Sequence, residues 1–176
     1  MPESQFLVLV HVALFAAGMM VCSCRGEPRG PGDRWFLAKG SWQDDMPIIM
    51  RVREQLETFV GDPKYPTRLI LNWTFDAPRD NGFPSSQDAD LMEAFEERVL
   101  LALERNLHSL AVAVVTHNGE REWIFYTQKA DEALNRINTL LAGDPPYPLK
   151  ITACPDPEWA EYKGILVNAG YSQPDR

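Results

Sequence analysis

The clearest hydrophobic pattern in the chain is an alternation over residues 67–76, TRLILNWTFD. Its large apolar positions are Leu69, Leu71, Trp73 and Phe75. The positions between them are Arg68, Ile70, Asn72 and Thr74. A period of two is typical of a β-strand that buries one face, because successive side chains point to opposite sides. The pattern therefore predicts a strand with one apolar and one more polar face.

Two later segments repeat their apolar residues at steps of three and four, as amphipathic helices do. The first begins at a cap, Ser85 or Ser86, with Asp88 in its first turn, where a hydroxyl and a carboxylate satisfy free N–H groups. Its apolar stripe is Leu91, Phe95, Val99 and Ala102, with Leu103 alongside. The second covers residues 130–142, and its stripe is Ala130, Leu134, Ile137 and Leu141. Both helices are predicted to pack on the same face of a sheet.

A β-hairpin is predicted between these helices, from strands 110–116 and 120–128. Asn118-Gly119 favours a two-residue turn, because both turn positions require a positive φ. Such a turn fixes the register and separates the side chains into two sets. The set predicted to face the helices is Val112, Val114, Trp123 and Phe125. The set predicted to face away is Ala111, Ala113, Glu122, Ile124 and Tyr126, so that Val112 pairs with Phe125 and Ala111 with Tyr126.

Shorter elements complete the predicted fold. They are strands at Trp35–Ala38 and Ile48–Val52, a short helix at Glu54–Val60, a strand at Leu149–Cys154 and a helix starting on Pro157. From residue 67 to 154, the order strand, helix, strand, strand, helix, strand is that of a ferredoxin-like α+β fold. The N-terminal hairpin, residues 34–52, is expected to cover or extend the edge formed by strand 110–116, because that strand is too apolar to stay open.

The face away from the helices is the candidate binding surface. It brings together Arg68, Asn72, Glu122 and Tyr126, beside small alanines that leave it shallow and concave. The alternative is that Glu122 forms an ordinary ion pair on a solvated face, with Arg68 or another basic group.

Two other features admit a structural and a functional interpretation. The loop at residues 76–84 contains Asp80 and Asn81, and either forms a turn or binds a ligand. Trp159 and Tyr162 lie three residues apart, which favours packing of the last helix in the core. A platform that stacks on carbohydrate is the alternative for this pair.

Composition and a search for known motifs limit the functions that the chain could have. The net charge of −8 and the pI of about 4.9 argue against nucleic acid as a partner, because phosphate binding needs clustered basic residues. The chain contains no nucleophile-elbow, zinc-protease, phosphate-loop or dinucleotide-binding motif. His108 and His117 lie on either side of a strand and can hardly share a metal. We therefore predict no catalytic residue, no metal and no cofactor.

The N-terminus has the pattern of a processing segment. Residues 6–21 are apolar apart from His11, which is short for a membrane span and suits the core of a signal peptide. The sequence Val21-Cys22-Ser23-Cys24 is similar to a bacterial lipobox, so we predict a signal peptide over residues 1–23 and a lipid on Cys24. Residues 24–33 would form a flexible linker, and residues 34–176 a single domain. The alternative is a start at Met19 or Met20 and a cytoplasmic product.

Cys154 is the third cysteine of the chain, after Cys22 and Cys24 in the N-terminal segment. The spacing of the three is not that of a zinc site. Cys154 is predicted to be a small buried apolar residue.

Four stretches occur in the order found in a known family. They are NGFP at 81–84, LMEAFEERVLLAL, VVTHNGEREWIFYT and DPEWAEY at 156–162. As an ordered set they resemble domain-of-unknown-function family 695, found mainly in bacteria, over about residues 34–166. The resemblance implies a small α+β domain and no assigned activity. Some relatives carry a second domain that binds protein, to which nothing in this chain corresponds.

Three functional hypotheses follow. The first is a non-enzymatic domain of the bacterial envelope, membrane-anchored by its lipid, that binds an unknown protein or small ligand. The second is an enzyme that uses Glu122 as acid or base with Tyr126 and Arg68. The third is a cytoplasmic regulatory binding domain, if translation starts later than Met1.

Overall fold

The computed structural model describes residues 30–41, 45–77 and 81–171. Within these ranges it contains six β-strands and three α-helices. The strands are β1 (Trp35–Ser41), β2 (Pro47–Arg53), β3 (Thr67–Thr74), β4 (Ser109–His117), β5 (Glu120–Thr127) and β6 (Leu149–Pro155). The helices are α1 (Ser86–Glu104), α2 (Ala130–Leu140) and α3 (Ala160–Asn168). A single 3₁₀ turn, Arg105–Leu107, follows α1.

The six strands form one antiparallel sheet in the order β1-β2-β4-β5-β3-β6. The fold is therefore a mixed α/β domain. The hairpin of β1 and β2 pairs along β4, which confirms that it extends that edge of the sheet. β1 and β6 are the two edge strands.

The Asn118-Gly119 turn forms as predicted, with φ angles of 40° and 79°. The predicted register holds as far as Ala113, which lies opposite Ile124. Beyond it the prediction is wrong, because a β-bulge lies between Ala111 and Ala113. The bulge sets Ala111, rather than Val112, opposite Phe125 and turns Val112 to the other face.

Side chains from outside the hairpin stabilise this bulge. The carboxylate of Glu104 accepts a hydrogen bond from the Ala111 N–H at 2.9 Å. The buried guanidinium of Arg53 donates to the Ala111 carbonyl at 3.2 Å and pairs with Glu104. The N–H and C=O groups of Ala111 at the bulge are thus satisfied by the ion pair of buried Arg53 with half-buried Glu104.

One face of the sheet packs against α1 and α2. As predicted, Trp123 and Phe125 are buried there. The helical residues that cover them are Met92, Phe95, Val99, Leu103, Ala133 and Ile137. The predicted stripe of α1 was wrong at its start, since Met92 is buried and Leu91 is exposed. The hydroxyl of Ser85 caps α1 by accepting from the Asp88 N–H at 3.2 Å.

The opposite face is only partly open. α3 and residues 54–65 pack over its middle and bury Tyr126 together with Trp159, Tyr162 and Ile165. The prediction that Tyr126 lies on an open face is therefore wrong. Burial of Trp159 and Tyr162 confirms their role in the core and contradicts the carbohydrate-platform alternative.

The predicted short helix at Glu54–Val60 is a single turn. The N–H groups of Phe59 and Val60 both donate to the carbonyl of Leu56. Gln55 before this turn has a φ of 63°, and Gly61 after it a φ of 76°, so helical geometry extends in neither direction.

Candidate functional site

The sheet face that packs against α3 is the second face of the sheet. A groove lies at the end of this face that α3 leaves uncovered. It encloses about 570 Å³ and is lined by residues of β3, β5 and β6. Its lining includes the polar residues Asn72, Glu120, Glu122 and Lys150. Pairing explains their proximity, because Asn72 lies opposite Glu122 on one side and opposite Lys150 on the other.

Asn72 organises the two carboxylates of the groove. Its side-chain amide donates to Glu120 at 3.1 Å and to Glu122 at 3.2 Å. Glu120 and Glu122 are two residues apart on β5 and therefore point to the same face. A carboxylate accepts several hydrogen bonds, so both keep lone pairs for further donors. Glu122 is half-buried, facing away from α1 and α2 as predicted.

One wall of the groove is held by an aromatic cluster. Tyr147 lines the groove, and its ring lies 5.1 Å from that of Trp73 and 5.5 Å from that of Phe95. Its hydroxyl donates to Asp144 at 3.1 Å, and Asp144 is paired with Arg98. These contacts tie the start of β6 to α1 and give the groove a rigid rim.

The structure does not bring Arg68 to Glu122. The Arg68 guanidinium pairs with Glu161 of α3. Both line a separate depression of about 330 Å³ between α3 and the end of β6. The prediction that Arg68 joins Glu122 on one binding surface is therefore wrong, and Arg68 is also not the ion-pair partner of Glu122 that the alternative offered. The reason is that α3 supplies a carboxylate that the strand pattern does not reveal.

Tyr126, like Arg68, lies apart from the polar residues of the groove. Its hydroxyl donates to Asp156 at 2.6 Å. Burial and this hydrogen bond raise the pKa of Tyr126 well above its usual value. Burial opposes ionisation of Asp156, but hydrogen bonds from Tyr126 and from the N–H groups of Ala160 and Glu161 outweigh it and lower its pKa. The pair thus anchors the start of α3 and lends no acid or base to Glu122.

The loop that precedes α1 docks on the hairpin turn. Asn81 accepts from the Phe83 N–H at 2.9 Å, and the Gly82 carbonyl accepts from the Gly119 N–H at 2.9 Å. A Cβ at Gly82 would lie 2.9 Å from the backbone nitrogen of Asn118. Asn81 therefore stabilises a turn, which is the structural interpretation of this loop. Asp80 lies outside the described residues. Two of the family-like stretches meet here, beside the start of β5 that carries Glu120.

A second polar cluster surrounds the buried His108. Its Nδ1 lies 3.1 Å from the Ser109 hydroxyl, and its Nε2 lies 3.4 Å from the carboxylate of Glu132. The residue types are those of a hydrolytic triad, but Ser109 is fully buried and its hydroxyl donates to Thr127 at 2.9 Å. Burial, and next the charge of Arg136, lower the pKa of His108. The cluster joins β4 to α2.

Sequence reasoning missed Glu120 and Lys150. A signal for Glu120 was present, since it shares the strand parity of Glu122. Lys150 comes beside Asn72 only through the pairing of β6 with β3, which the local pattern of residues 149–154 does not indicate.

Other predicted features lie apart from the groove or beyond the described residues. Cys154 is a free, half-buried thiol on β6 rather than a fully buried one. Cys24 falls outside the described ranges. Over the described ranges, no three His, Cys, Asp or Glu side chains cluster in a way that could hold a metal ion. No helix among them is both long and apolar enough to span a membrane.

Comparison with known proteins agrees with the resemblance found in the sequence. The model of a family of unknown function, DUF695, matches residues 33–167. No curated protein and no solved structure matches the chain.

Proposed function

Since the chain belongs to the DUF695 family, to which no function is assigned, we propose a function from the geometry of the groove. The chain is a non-enzymatic binding domain. Its small ligand or protein partner occupies the uncovered end of the second sheet face.

The arrangement around Asn72 carries this proposal. One amide holds two carboxylates side by side in a groove of about 570 Å³, on regular strands of a single sheet. Sites built on strands keep their geometry better than sites on loops. The enzymatic alternative loses its support, because Tyr126 and Arg68 are engaged with Asp156 and Glu161 instead.

The charges of the groove define the ligand it favours. Glu120 and Glu122 provide acceptors, and Lys150 provides one cation at the rim. A group with several N–H donors, such as an amine, amide or guanidinium, satisfies the carboxylates that Asn72 alone cannot saturate.

We further propose that β3, β4, β5 and β6 constitute a ferredoxin-like core. Their order, β6-β3-β5-β4, and the positions of α1 after β3 and α2 after β5 support this assignment. The β1-β2 hairpin and α3 would then be additions to that core.

The location that we propose is the bacterial cell envelope. It rests on the apolar residues 6–21, the cysteine at position 24 and the polar residues 25–33 that follow. In this proposal residues 1–23 are removed, Cys24 carries the lipid, residues 24–33 are the linker and residues 34–176 are the domain. Metabolic labelling with a fatty-acid analogue tests it: Cys24→Ala should abolish the label, and a label that survives the substitution would contradict the lipoprotein proposal. Unlabelled, unprocessed protein in the cytoplasm would support a start at Met19 or Met20.

Binding is tested by affinity capture from envelope extracts with the immobilised full-length chain. Glu122→Gln removes one charge from the groove, and Glu97→Gln, on the exposed side of α1, is the matched control. A species held by the wild type should persist with the control and fall at least about tenfold with Glu122→Gln. Equal capture by all three proteins contradicts a binding role for the groove.

A further inference from the structure

The outer edge of β6 presents backbone groups in a self-complementary pattern. The Thr74 N–H donates to the Pro148 carbonyl, and the Asp156 N–H donates to the Pro66 carbonyl. Both bonds fit the register of β3 with β6. Because hydrogen-bonded pairs alternate along an antiparallel ladder, even-numbered residues of β6 bond to β3. Odd-numbered residues therefore direct their N–H and C=O groups outward.

Two of the four outward positions of β6 have no free N–H donor. Leu149 already donates to the Tyr147 carbonyl at 2.7 Å, and Pro155 has no N–H. Ile151 and Ala153 remain, each with one donor and one acceptor. No strand borders this side of β6 among the described residues, and Thr152 and Ala153 are exposed. An edge of this kind pairs readily with another strand.

We propose that the β6 edge is a homodimer interface, in which two copies of this chain join their sheets antiparallel about a two-fold axis at Thr152. This register pairs Ile151 of each copy with Ala153 of the other and uses all four outward donors. Thr152 then lies directly opposite Thr152 of the second copy, a favourable cross-strand pair. The proposal is independent of the proposed ligand.

Charge argues against one neighbouring register. With the axis at Thr152, Lys150 lies opposite Cys154 of the second copy, and the two lysines are ~14 Å apart. An axis at Lys150 would set the lysines directly opposite each other, which is destabilising. The region around Cys154 carries the carboxylates of Asp156 and Glu161 against one guanidinium, that of Arg68. The lysine of each copy therefore meets a region of net negative charge on the other.

This interface joins two depressions across the axis. Lys150 and Thr152 form the rim of the groove, and Pro155 borders the depression beside α3. In the dimer, the groove of one copy continues into the depression of the other.

Sedimentation equilibrium of the full-length chain over about a hundredfold range of concentration tests the proposal. Ala153→Pro removes an outward donor and leaves every bond to β3, a position where edge strands tolerate proline. Lys39→Pro is the matched control, since Lys39 has the same outward parity on the other edge strand, β1. The wild type and Lys39→Pro should dimerise, and Ala153→Pro should weaken dimerisation at least about tenfold, because two of the four hydrogen bonds are lost.

Disulfide trapping provides a readout that does not depend on the folding of the proline variants. In a chain carrying Cys22→Ala, Cys24→Ala and Cys154→Ala, Thr152→Cys should form an intermolecular disulfide on oxidation. Opposed residues at such a position have Cα atoms about 4.5 Å apart, within reach of the bond. Lys150→Cys should not cross-link. A wild type that stays monomeric, a dimer lost with Lys39→Pro but kept with Ala153→Pro, or equal cross-linking at positions 150 and 152 would overturn the proposal.

Discussion

The ring of Tyr126 lies parallel to the indole of Trp159, with 3.9 Å between ring centroids and 7° between planes. Tyr126 belongs to β5, whereas Trp159 precedes α3, so the stack fixes the C-terminal helix to the centre of the sheet. The indole N–H of Trp159 also donates to the Tyr65 carbonyl at 3.1 Å, which attaches the start of α3 to the segment before β3.

Trp159→Ala should therefore lower the free energy of unfolding by roughly 3–5 kcal/mol, as loss of a large buried side chain does. Val167→Ala, on the exposed side of the same helix, should change it by less than about 0.5 kcal/mol. Denaturant melts measure both. Equal effects would mean that α3 is not fixed by this stack.

Adjacent residues of β5 should differ sharply in their effects. Trp123 is buried beneath α1, and its indole N–H donates to Glu96 at 2.8 Å. Trp123→Ala should therefore lower the free energy of unfolding by roughly 3–5 kcal/mol. Glu122 is half-buried at the groove, and Glu122→Gln should cost about 1 kcal/mol or less. If Glu122→Gln proves as damaging in denaturant melts, Glu122 belongs to a buried network and the groove is not an open site.

The bulge in β4 should depend on Glu104. Glu104→Ala leaves Arg53, a residue that is 5 % exposed, without its carboxylate partner, and removes the acceptor of the Ala111 N–H. We expect a loss of roughly 2–4 kcal/mol and faster hydrogen exchange at the Ala111 amide. Glu97→Ala on the same helix is the control and should change neither quantity. Slow exchange at Ala111 in the Glu104 variant would show that the bulge forms without the ion pair.

Two glycine substitutions should change the stability of the protein in opposite directions. Gly82 has a φ of 66° and lies against the backbone of Asn118, so Gly82→Ala should destabilise by more than about 1 kcal/mol. Gly164 in α3 has no other atom within 4 Å of an added Cβ, so Gly164→Ala should stabilise by roughly 0.4–1 kcal/mol. Thermal melts of the two variants decide the point. A neutral Gly82→Ala would indicate that the loop does not dock on the turn.

His108 should make stability depend on pH. Its pKa is lowered in the folded protein, so the unfolded chain binds more protons once the pH falls below about 6.5, and stability decreases as the pH falls from 7 towards 5. His108→Gln should reduce that decrease, and His117→Gln, at the other end of β4, serves as the comparison. The measurement is the free energy of unfolding at pH 7.5 and 5.5 for each variant, and an unchanged slope in His108→Gln would contradict the assignment.

Much of the hairpin could be predicted because local chemistry determines it. Asn118-Gly119 determines the turn, the turn determines the register as far as Ala113, and alternation places Trp123 under the helices. The bulge at Ala111 escaped prediction because it depends on Arg53 and Glu104, which come from different elements. Which face α3 covers escaped it too, since the spacing of Trp159, Tyr162 and Ile165 defines an apolar stripe but not its docking site.

The sequence predicted two of the four residues proposed for the candidate site. Asn72 and Glu122 followed from strand parity and the pairing of neighbouring strands. Arg68 and Tyr126 share that parity, but their partners Glu161 and Asp156 lie far along the chain, and no local pattern places those carboxylates.

The position of β3 in the sheet governs how the chain can fold during synthesis. Both of its neighbours, β5 and β6, lie later in the sequence, and β5 emerges only after α1 and β4. Its apolar side chains and both of its edges therefore remain unpaired while more than half of the domain has already left the ribosome. Non-local pairing of this kind slows folding and leaves strands exposed to aggregation. The nascent chain should consequently depend on chaperones until β6 is complete.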